Sequence, residues 1–166
     1  MTQAHHLATQ RIETPLGPLL AARSRRGLSG LWFDGQRHHP GLADLPSAEP
    51  GDEVMLATRQ ALQAYFEGRA WALPPLDLAG TPFQQRVWQQ IAAIAPGKTV
   101  SYGDIAHALQ TSPRPVGTAC GANPLPLVVP CHRVVGKTGL GGFNGQKTNL
   151  TLDVKRWLLR HEGHRI

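Results

Sequence analysis

One short segment of the sequence combines residue types that could carry out covalent chemistry. An apolar run, residues 127–129, is interrupted by Pro-Cys-His-Arg at 130–133 and resumes at once with Val134. A buried strand has no reason to contain a proline, which cannot donate a ladder hydrogen bond, beside a histidine and an arginine. A lone cysteine is usually a small buried hydrophobic residue. With these neighbours, Cys131 is better interpreted as a nucleophile.

A cysteine nucleophile needs a base, because a thiol with a pKa of about 8.5 is only a few per cent ionised at neutral pH. His132 is the natural candidate, although neighbouring side chains on extended backbone point to opposite faces. A local kink or a bridging water would connect it to Cys131. The histidine in turn needs an acid that fixes its tautomer. Among the 11 acidic residues, Glu162 is the best candidate by elimination.

The charge balance suits a polyanionic partner. The chain of 166 residues has 17 Lys and Arg against 11 Asp and Glu, a net charge of +6. Such a charge attracts DNA. Many basic domains never bind nucleic acid, so composition leaves both interpretations open.

The elements that must position these residues fall into two parts. The first, residues 1–79, is expected to be a scaffold domain. Asp52 can cap a helix that runs to about Phe66, and residues 73–80 have the composition of a linker. Before that helix, alternating apolar residues between turns predict a small antiparallel sheet with strands at 12–14, 19–22 and 28–33.

The second part, residues 80–166, is expected to hold short helices and the chemistry. Helix start signals are Thr81-Pro82, a capping box at Ser101 and Asp104, and Ser112-Pro113. The last two of these helices, joined by a tight turn, predict a helix-turn-helix. A final helix is predicted over about 153–161, with Val154, Trp157 and Leu158 on its inward face.

The third of these helices carries an unusual number of small residues, including Gly117. Glycine in a helix interior costs about 1 kcal/mol relative to alanine. The cost is explained by close approach of the helix backbone to a nucleic-acid groove, or by close packing on a neighbouring element.

Over nearly its whole length, and strongly from Gly80 onward, the sequence resembles the O6-alkylguanine-DNA alkyltransferases, also called methylated-DNA-protein-cysteine methyltransferases. Before about residue 70 the resemblance is weak. The matching motifs, in order, are Gly80-Thr81-Pro82-Phe83-Gln84, Val87-Trp88, Ser101-Tyr102, Arg114-Pro115-Val116-Gly117, Asn123-Pro124, Pro130-Cys131-His132-Arg133-Val134-Val135, Lys155-Arg156-Trp157-Leu158-Leu159 and His161-Glu162-Gly163.

The resemblance implies a role for each catalytic residue. Cys131 accepts the alkyl group, and His132, oriented by Glu162, activates it through a water. Asn123 organises the turn that holds the cysteine. Tyr102 donates a proton toward the guanine as the alkyl group leaves.

The resemblance also implies how DNA is held. Arg114 fills the gap left when the damaged nucleotide is flipped out of the duplex, and the third helix enters the minor groove. The backbone carbonyls of Cys131 and Val134 read the guanine amino group, and the amide of Asn144 approaches the alkylated oxygen. The other residues expected at the DNA or the damaged base are Ser101, Pro115, Gly117, Thr118, Arg133 and Phe143.

The implied fold is mixed α+β. It has a small N-terminal antiparallel-sheet domain that is ribonuclease-H-like and a C-terminal helix-turn-helix domain that is winged-helix-like. The implied function is repair of O6-alkylguanine, and of O4-alkylthymine, in double-stranded DNA by stoichiometric transfer to Cys131. No cofactor is needed. The protein is expected to be a monomer in solution that can cluster on DNA.

Other features favour a reduced, cytoplasmic protein. The two cysteines are too close in sequence for a bridge to staple a chain of this size, and Cys120 is interpreted as a packing residue. No apolar run reaches the roughly 18 residues of a membrane span. The histidine pairs His5-His6 and His38-His39 lack the pattern of a zinc site.

The sequence departs from the family at Phe143, where many relatives carry tyrosine, and in a longer stretch over 146–153.

Two other functions remain compatible with parts of this pattern. A protein that senses alkylated guanine without repairing it would keep the helix-turn-helix but needs no nucleophile. A cysteine hydrolase would keep the nucleophile and base but would turn over and ignore DNA.

Overall fold

The structure is a computed structural model that describes residues 6–33, 45–141 and 149–165. The chain divides into two compact units, Met1–Ala79 and Gly80–Ile166. Within the described residues no helix is long and apolar enough to cross a bilayer. Phe143 and Asn144, which the sequence placed at the damaged base, lie outside the described residues.

The N-terminal unit contains a three-stranded antiparallel meander. Its strands are β1 (Ala8–Thr14), β2 (Gly17–Arg23) and β3 (Leu28–Phe33), in the order β1-β2-β3. β1 begins four residues before its predicted start, because Ala8 to Arg11 pair with the second half of β2. Residues 8–11 have no alternating pattern of apolar residues of their own, so the pairing decides where the strand begins.

One helix packs on this sheet. α1 (Glu53–Phe66) begins after Asp52, whose side chain accepts a hydrogen bond from the Met55 amide at 3.1 Å. The same carboxylate oxygen lies 2.7 Å from Arg23 of β2, so the cap also fastens the helix to the sheet. The expected helix bounds and cap are therefore confirmed.

The C-terminal unit contains four helices and two short strands within its described residues. In chain order they are α2 (Pro82–Ala92), β4 (Val100–Ser101), α3 (Tyr102–Ala108), α4 (Pro113–Gly121), a 3-10 turn (Cys131–Arg133), β5 (Val134–Val135) and α5 (Asn149–His161).

The predicted capping box at Ser101 forms, and a second one forms at Thr81, where the sequence predicted only an N-cap. Thr81 exchanges hydrogen bonds with Gln84 at the start of α2, and Ser101 does so with Asp104 at the start of α3. Ser112 stands at the N-cap of α4 but makes no side-chain cap hydrogen bond. There the proline at the first turn supplies the start signal, since its fixed φ suits a helix and its missing N–H is not needed.

The pairing of β4 with β5 was not predicted from the sequence. Val100 and Ser101 run parallel to Val134 and Val135. This two-residue pairing places the start of α3 beside the segment that follows Cys131. A pair so short and so distant along the chain has no local periodicity that could reveal it.

Candidate active site

The segment that carries Cys131 is shaped by a buried asparagine. Asn123 Nδ2 donates to the carbonyl of Val129 at 2.8 Å, and its Oδ1 accepts from the amide of Leu125 at 2.9 Å. The amide of Cys131 donates to the same Val129 carbonyl at 2.8 Å. These bonds fold residues 123–131 into a tight loop, the cysteine loop, which fixes the position of Cys131.

The cysteine opens a 3-10 turn instead of lying on a strand. In such a turn successive side chains differ by about 120°, so Cys131 and His132 are not directed to opposite faces. Cys131 is 5% exposed. Burial raises the pKa of its thiol, while a hydrogen bond involving Asn123 and the charge of Lys155 act in the opposite direction.

His132 is fully buried and paired with the acid that the sequence nominated. Its Nε2 lies 2.6 Å from Glu162 Oε2, and the two side chains are 0% and 3% exposed. Burial lowers the pKa of His132; the Glu162 hydrogen bond and charge oppose this, and the charges of Arg133 and Lys155 lower the pKa further. This lowered pKa favours a neutral ring at neutral pH. An ionised carboxylate only accepts hydrogen bonds, so the proton belongs on Nε2.

The other ring nitrogen is left open. Nδ1 of His132 is buried and has no hydrogen-bond partner among the described residues. A buried polar atom without a partner costs about 1–3 kcal/mol. In a neutral ring whose proton is on Nε2, this atom is a lone-pair acceptor, the property that a general base requires.

Arg133 was expected at the DNA, and the structure places it elsewhere. The side chain is 5% exposed. Nε and Nη2 donate to the two oxygens of Glu162 at 2.8 and 3.0 Å, and Nη1 donates to the carbonyl of Ile94 at 2.7 Å. Because its forked head is used inside the protein, we revise its assignment from DNA contact to support of the histidine–glutamate pair.

Lys155 is a site residue to which sequence reasoning gave no role. It is 0% exposed, and Nζ donates to the carbonyl of Val134 at 2.7 Å and to the carbonyl of Leu140. It also lies 5.9 Å from the centre of the Tyr102 ring. Burial lowers its pKa to about 8, against the effect of the two cysteines.

The spacing of residues along α5 could have indicated that Lys155 is buried. The sequence predicted Val154, Trp157 and Leu158 on the inward face of the last helix. In the structure Lys155 and Leu158 are buried, whereas Val154 and Trp157 are half-buried. Lys155 precedes Leu158 by three residues, so both lie on one face of α5, and Glu162 follows directly after the end of that helix.

Tyr102 is the first residue of α3 and is half-buried. Gly141, in a left-handed conformation with φ of +74°, passes close to it. A Cβ added at Gly141 would lie 2.8 Å from Cε2 and 3.1 Å from the hydroxyl of Tyr102. Glycine is therefore required where the chain crosses the tyrosine.

The outer face of α4 is open. Arg114, Pro115 and Thr118 are exposed, and no described atom lies within 4 Å of the position of a Cβ added at Gly117. On its inner face the Ala119 carbonyl accepts a hydrogen bond from Trp88 Nε1 at 2.9 Å. The alternative interpretation, close packing of Gly117 on a neighbouring element, is thus not observed in the described residues, which favours close approach of an external partner.

The remaining cysteine is consistent with a packing role. Cys120 is 7% exposed on the inner face of α4. Burial raises the pKa of its thiol to about 12, so it stays protonated.

The described residues contain no group of three or more potential metal ligands.

Known proteins are similar to this chain in sequence and in fold. The family model described as "6-O-methylguanine DNA methyltransferase, DNA binding domain" matches residues 82–164. A methylated-DNA-protein-cysteine methyltransferase of Salmonella typhimurium is 38% identical, covering 95% of this chain and 96% of that protein. A DNA base-flipping protein of Thermus thermophilus is 40% identical, covering 92% of this chain and 97% of that protein.

A solved structure agrees with these matches. Mycobacterium tuberculosis OGT in complex with DNA superposes with a TM-score of 0.80 at 36% identity, covering 94% of this chain and 92% of that one. The chain therefore belongs to the family of O6-alkylguanine-DNA alkyltransferases, the methylated-DNA-protein-cysteine methyltransferases.

Proposed function

We propose that this chain repairs alkylated DNA by transferring an alkyl group from O6 of guanine, or O4 of thymine, to Sγ of Cys131. Each molecule acts once. The observation that carries the proposal is the buried His132–Glu162 pair, whose open Nδ1 belongs to the residue next to Cys131 in one 3-10 turn. The methyltransferase named among its relatives supports the same activity.

Activation begins with a proton leaving the thiol. Burial holds Cys131 in its protonated form at rest, so a base must act as the alkyl group arrives. His132 is neutral and accepts this proton at Nδ1, with a water bridging the two side chains. Glu162 holds the ring from Nε2 and stabilises the imidazolium that forms.

The transfer balances without a cofactor. The Sγ–carbon bond forms as the bond between the alkyl carbon and O6 breaks. Tyr102 donates its phenolic proton toward the departing guanine, which leaves as a neutral base. This leaves Tyr102 as a phenolate and His132 as an imidazolium, whose charges cancel, and both become neutral again when the proton that His132 took from Cys131 passes to Tyr102. Lys155, beside both Cys131 and the Tyr102 ring, favours the anionic forms of sulfur and phenol during the step.

The product explains the single turnover. A thioether lacks the electrophilic carbonyl that lets water regenerate an acyl-enzyme. Cys131 stays alkylated, and one protein molecule removes one lesion.

The proposed DNA surface is the outer face of α4. Arg114 enters the stack when the damaged nucleotide is flipped out, while Pro115, Gly117 and Thr118 lie against the minor groove. Ser101, at the start of α3, lies at the DNA beside them. The net charge of +6 supplies attraction to phosphates.

The proposed reading of the guanine amino group uses two backbone carbonyls. The carbonyl of Cys131 accepts from the Val134 amide, and that of Val134 accepts from Lys155 Nζ. Each carbonyl oxygen has two lone pairs, so each has capacity for one further donor. Asn144 and Phe143 complete the proposed pocket from outside the described residues.

Several finer assignments belong to the same proposal. The N-terminal unit is ribonuclease-H-like, and the C-terminal unit is winged-helix-like, with β4 and β5 beside the helix-turn-helix. The protein acts as a monomer that can cluster along DNA. A reducing compartment such as the cytoplasm keeps Cys131 available as a thiol.

The test is to incubate the protein with a duplex that contains O6-methylguanine and to locate added mass on its peptides. We expect one methyl group on the Cys131 peptide, loss of activity in proportion to lesion repaired, and no transfer by Cys131→Ser. Cys120→Ser is the matched control and should transfer normally.

Other outcomes identify the alternatives. Binding of the duplex without transfer would favour a damage sensor, a possibility raised by the relative named as a DNA base-flipping protein. Repeated turnover of an ester would favour a hydrolase. Either result would overturn the proposal.

A further inference from the structure

Arg133 is bound to Glu162 and takes no direct part in the proposed alkyl transfer. We propose that Arg133 is a positioning residue that compensates the buried charge of Glu162, so that His132 stays neutral with its proton on Nε2 and its Nδ1 open. This inference rests on the proposed function of Cys131 and extends it to the residue that sets the state of the base.

The geometry is that of a forked ion pair. Nε and Nη2 of Arg133 reach Oε1 and Oε2 of Glu162 at 2.8 and 3.0 Å. Such bidentate pairs fix orientation as well as charge. Glu162 Oε2 therefore accepts from Arg133 and from His132 Nε2 at once, and the carboxylate cannot rotate away from the ring without breaking the fork.

The electrostatic reason lies in the burial of all three groups. Their side chains are 0%, 3% and 5% exposed for His132, Glu162 and Arg133. A lone buried carboxylate beside an imidazole would draw a second proton onto the ring, because opposite charges attract strongly where water is excluded. The guanidinium already provides the opposite charge, so the ring needs no second proton.

The other groups that act on His132 push in the same direction or are neutral. Lys155 of α5 adds a second positive charge, and Cys131 is a buried thiol. Among the described residues, one negative and two positive groups thus act on the ring. A protonated His132 could not accept the proton of Cys131, so the cations preserve the base.

A purely structural role is the alternative. Arg133 Nη1 donates to the carbonyl of Ile94 at 2.7 Å, which ties the 3-10 turn to the segment after α2. If this tie were its whole purpose, losing the charge would affect stability and rate alike but would leave the titration of His132 unchanged.

The first measurement is NMR of the imidazole nitrogens in the full chain without DNA. In the wild-type protein at about pH 7 we expect His132 to be neutral with its proton on Nε2. In Arg133→Gln, which keeps a donor but no charge, its protonation midpoint should rise by about one pH unit or more. In Arg133→Lys, which keeps the charge, it should rise less.

A protonated His132 in the wild-type protein, or a proton on Nδ1, would overturn the inference without any variant, even if Arg133→Gln does not fold. An unchanged midpoint in folded Arg133→Gln would overturn it as well. Because neither readout involves alkyl transfer, these results stand whether or not the proposed function holds.

The second measurement links the state of the ring to the reaction. The single-turnover rate of methyl transfer is recorded against pH for the same three proteins. We expect the acidic limb of Arg133→Gln to move upward with the midpoint of His132, so that its rate loss is larger at about pH 6 than at about pH 8. A loss equal at every pH would indicate the structural role. Absence of transfer by the wild-type protein would instead reject the proposed function.

Discussion

At the scale of single residues, the site works because its charges are buried in defined pairs. Glu162 is shared between His132 and Arg133, and Lys155 is shared between two carbonyls beside the thiol. Water that would screen these charges is excluded, so each has a large effect on its neighbours. Removing one member should therefore change the chemistry more than a surface substitution would.

Lys155→Met tests this directly. The variant removes the cation that lowers the pKa of Cys131 and leaves the carbonyls of Val134 and Leu140 without their donor. We expect the single-turnover rate of methyl transfer to fall by about tenfold or more, which corresponds to a rise of the activation free energy by about 1.4 kcal/mol or more. Arg156→Met is the matched control on the exposed face of α5, and an equal loss in both variants would contradict a specific role for Lys155.

His132 predicts a loss of stability in acid. Burial lowers its pKa in the folded protein from 6.5, so below about pH 6.5 the unfolded chain takes up a proton that the folded chain refuses. As the pH is lowered below this value, the free energy of unfolding should decrease by up to about 1.4 kcal/mol per pH unit, until His132 in the folded protein is itself protonated. Urea unfolding at several pH values measures this. In His132→Gln the slope should be shallower by that amount, and identical slopes would refute the assignment.

At the scale of elements, the site is assembled where α3, the cysteine loop and α5 meet. Tyr102 comes from the start of α3, Lys155 from α5, and Gly141 from the segment after β5. A Cβ added at Gly141 would lie 2.8 Å from Cε2 of the Tyr102 ring. The position of the tyrosine therefore depends on a residue without a side chain.

Gly141→Ala should disturb that position. Its φ of +74° is unfavourable for alanine, and the added Cβ would press on Tyr102. We expect a loss of stability of about 1–2 kcal/mol from the backbone alone and slower methyl transfer. Gly139→Ala is the control, because a Cβ there has no described atom within 4 Å. If both variants unfold at the same temperature and react at the same rate, the contact is unimportant.

At the scale of the whole molecule, a net charge of +6 suits attraction to DNA, while in our proposal one exposed helix face, that of α4, engages the duplex. Long-range attraction is a property of all the charges together. Nucleotide flipping is a local event, and its cost of a few kcal/mol must be offset at one place. We assign that place to Arg114.

Arg114→Ala should slow repair of duplex DNA by about tenfold or more, because the flipped state loses the residue that fills the gap. Reaction with a free O6-alkylguanine base, which needs no flipping, should be unchanged. Arg69→Ala is the control: this arginine is exposed in the N-terminal unit and paired with Glu67. Equal slowing on both substrates would show that Arg114 acts on the pocket instead.

Local rules in the sequence predicted much of this architecture. The caps at Asp52, Thr81 and Ser101 act within three residues, so their side chains and partners are adjacent along the chain. The strand at Leu28–Phe33 was likewise predicted at its observed bounds. The start of β1 and the pairing of β4 with β5 were missed, because distant partners decide them.

The sequence by itself determined that Cys131, with a histidine beside it and Glu162 after the last helix, is the candidate reactive group, and which family the chain resembles. Only the tertiary structure decided the state of that group. It turned Arg133 inward onto Glu162 and buried Lys155 beside the thiol. The reason is physical: residue type and spacing specify which groups are available, whereas burial and the pairing of charges, which set protonation, depend on segments far apart in the chain.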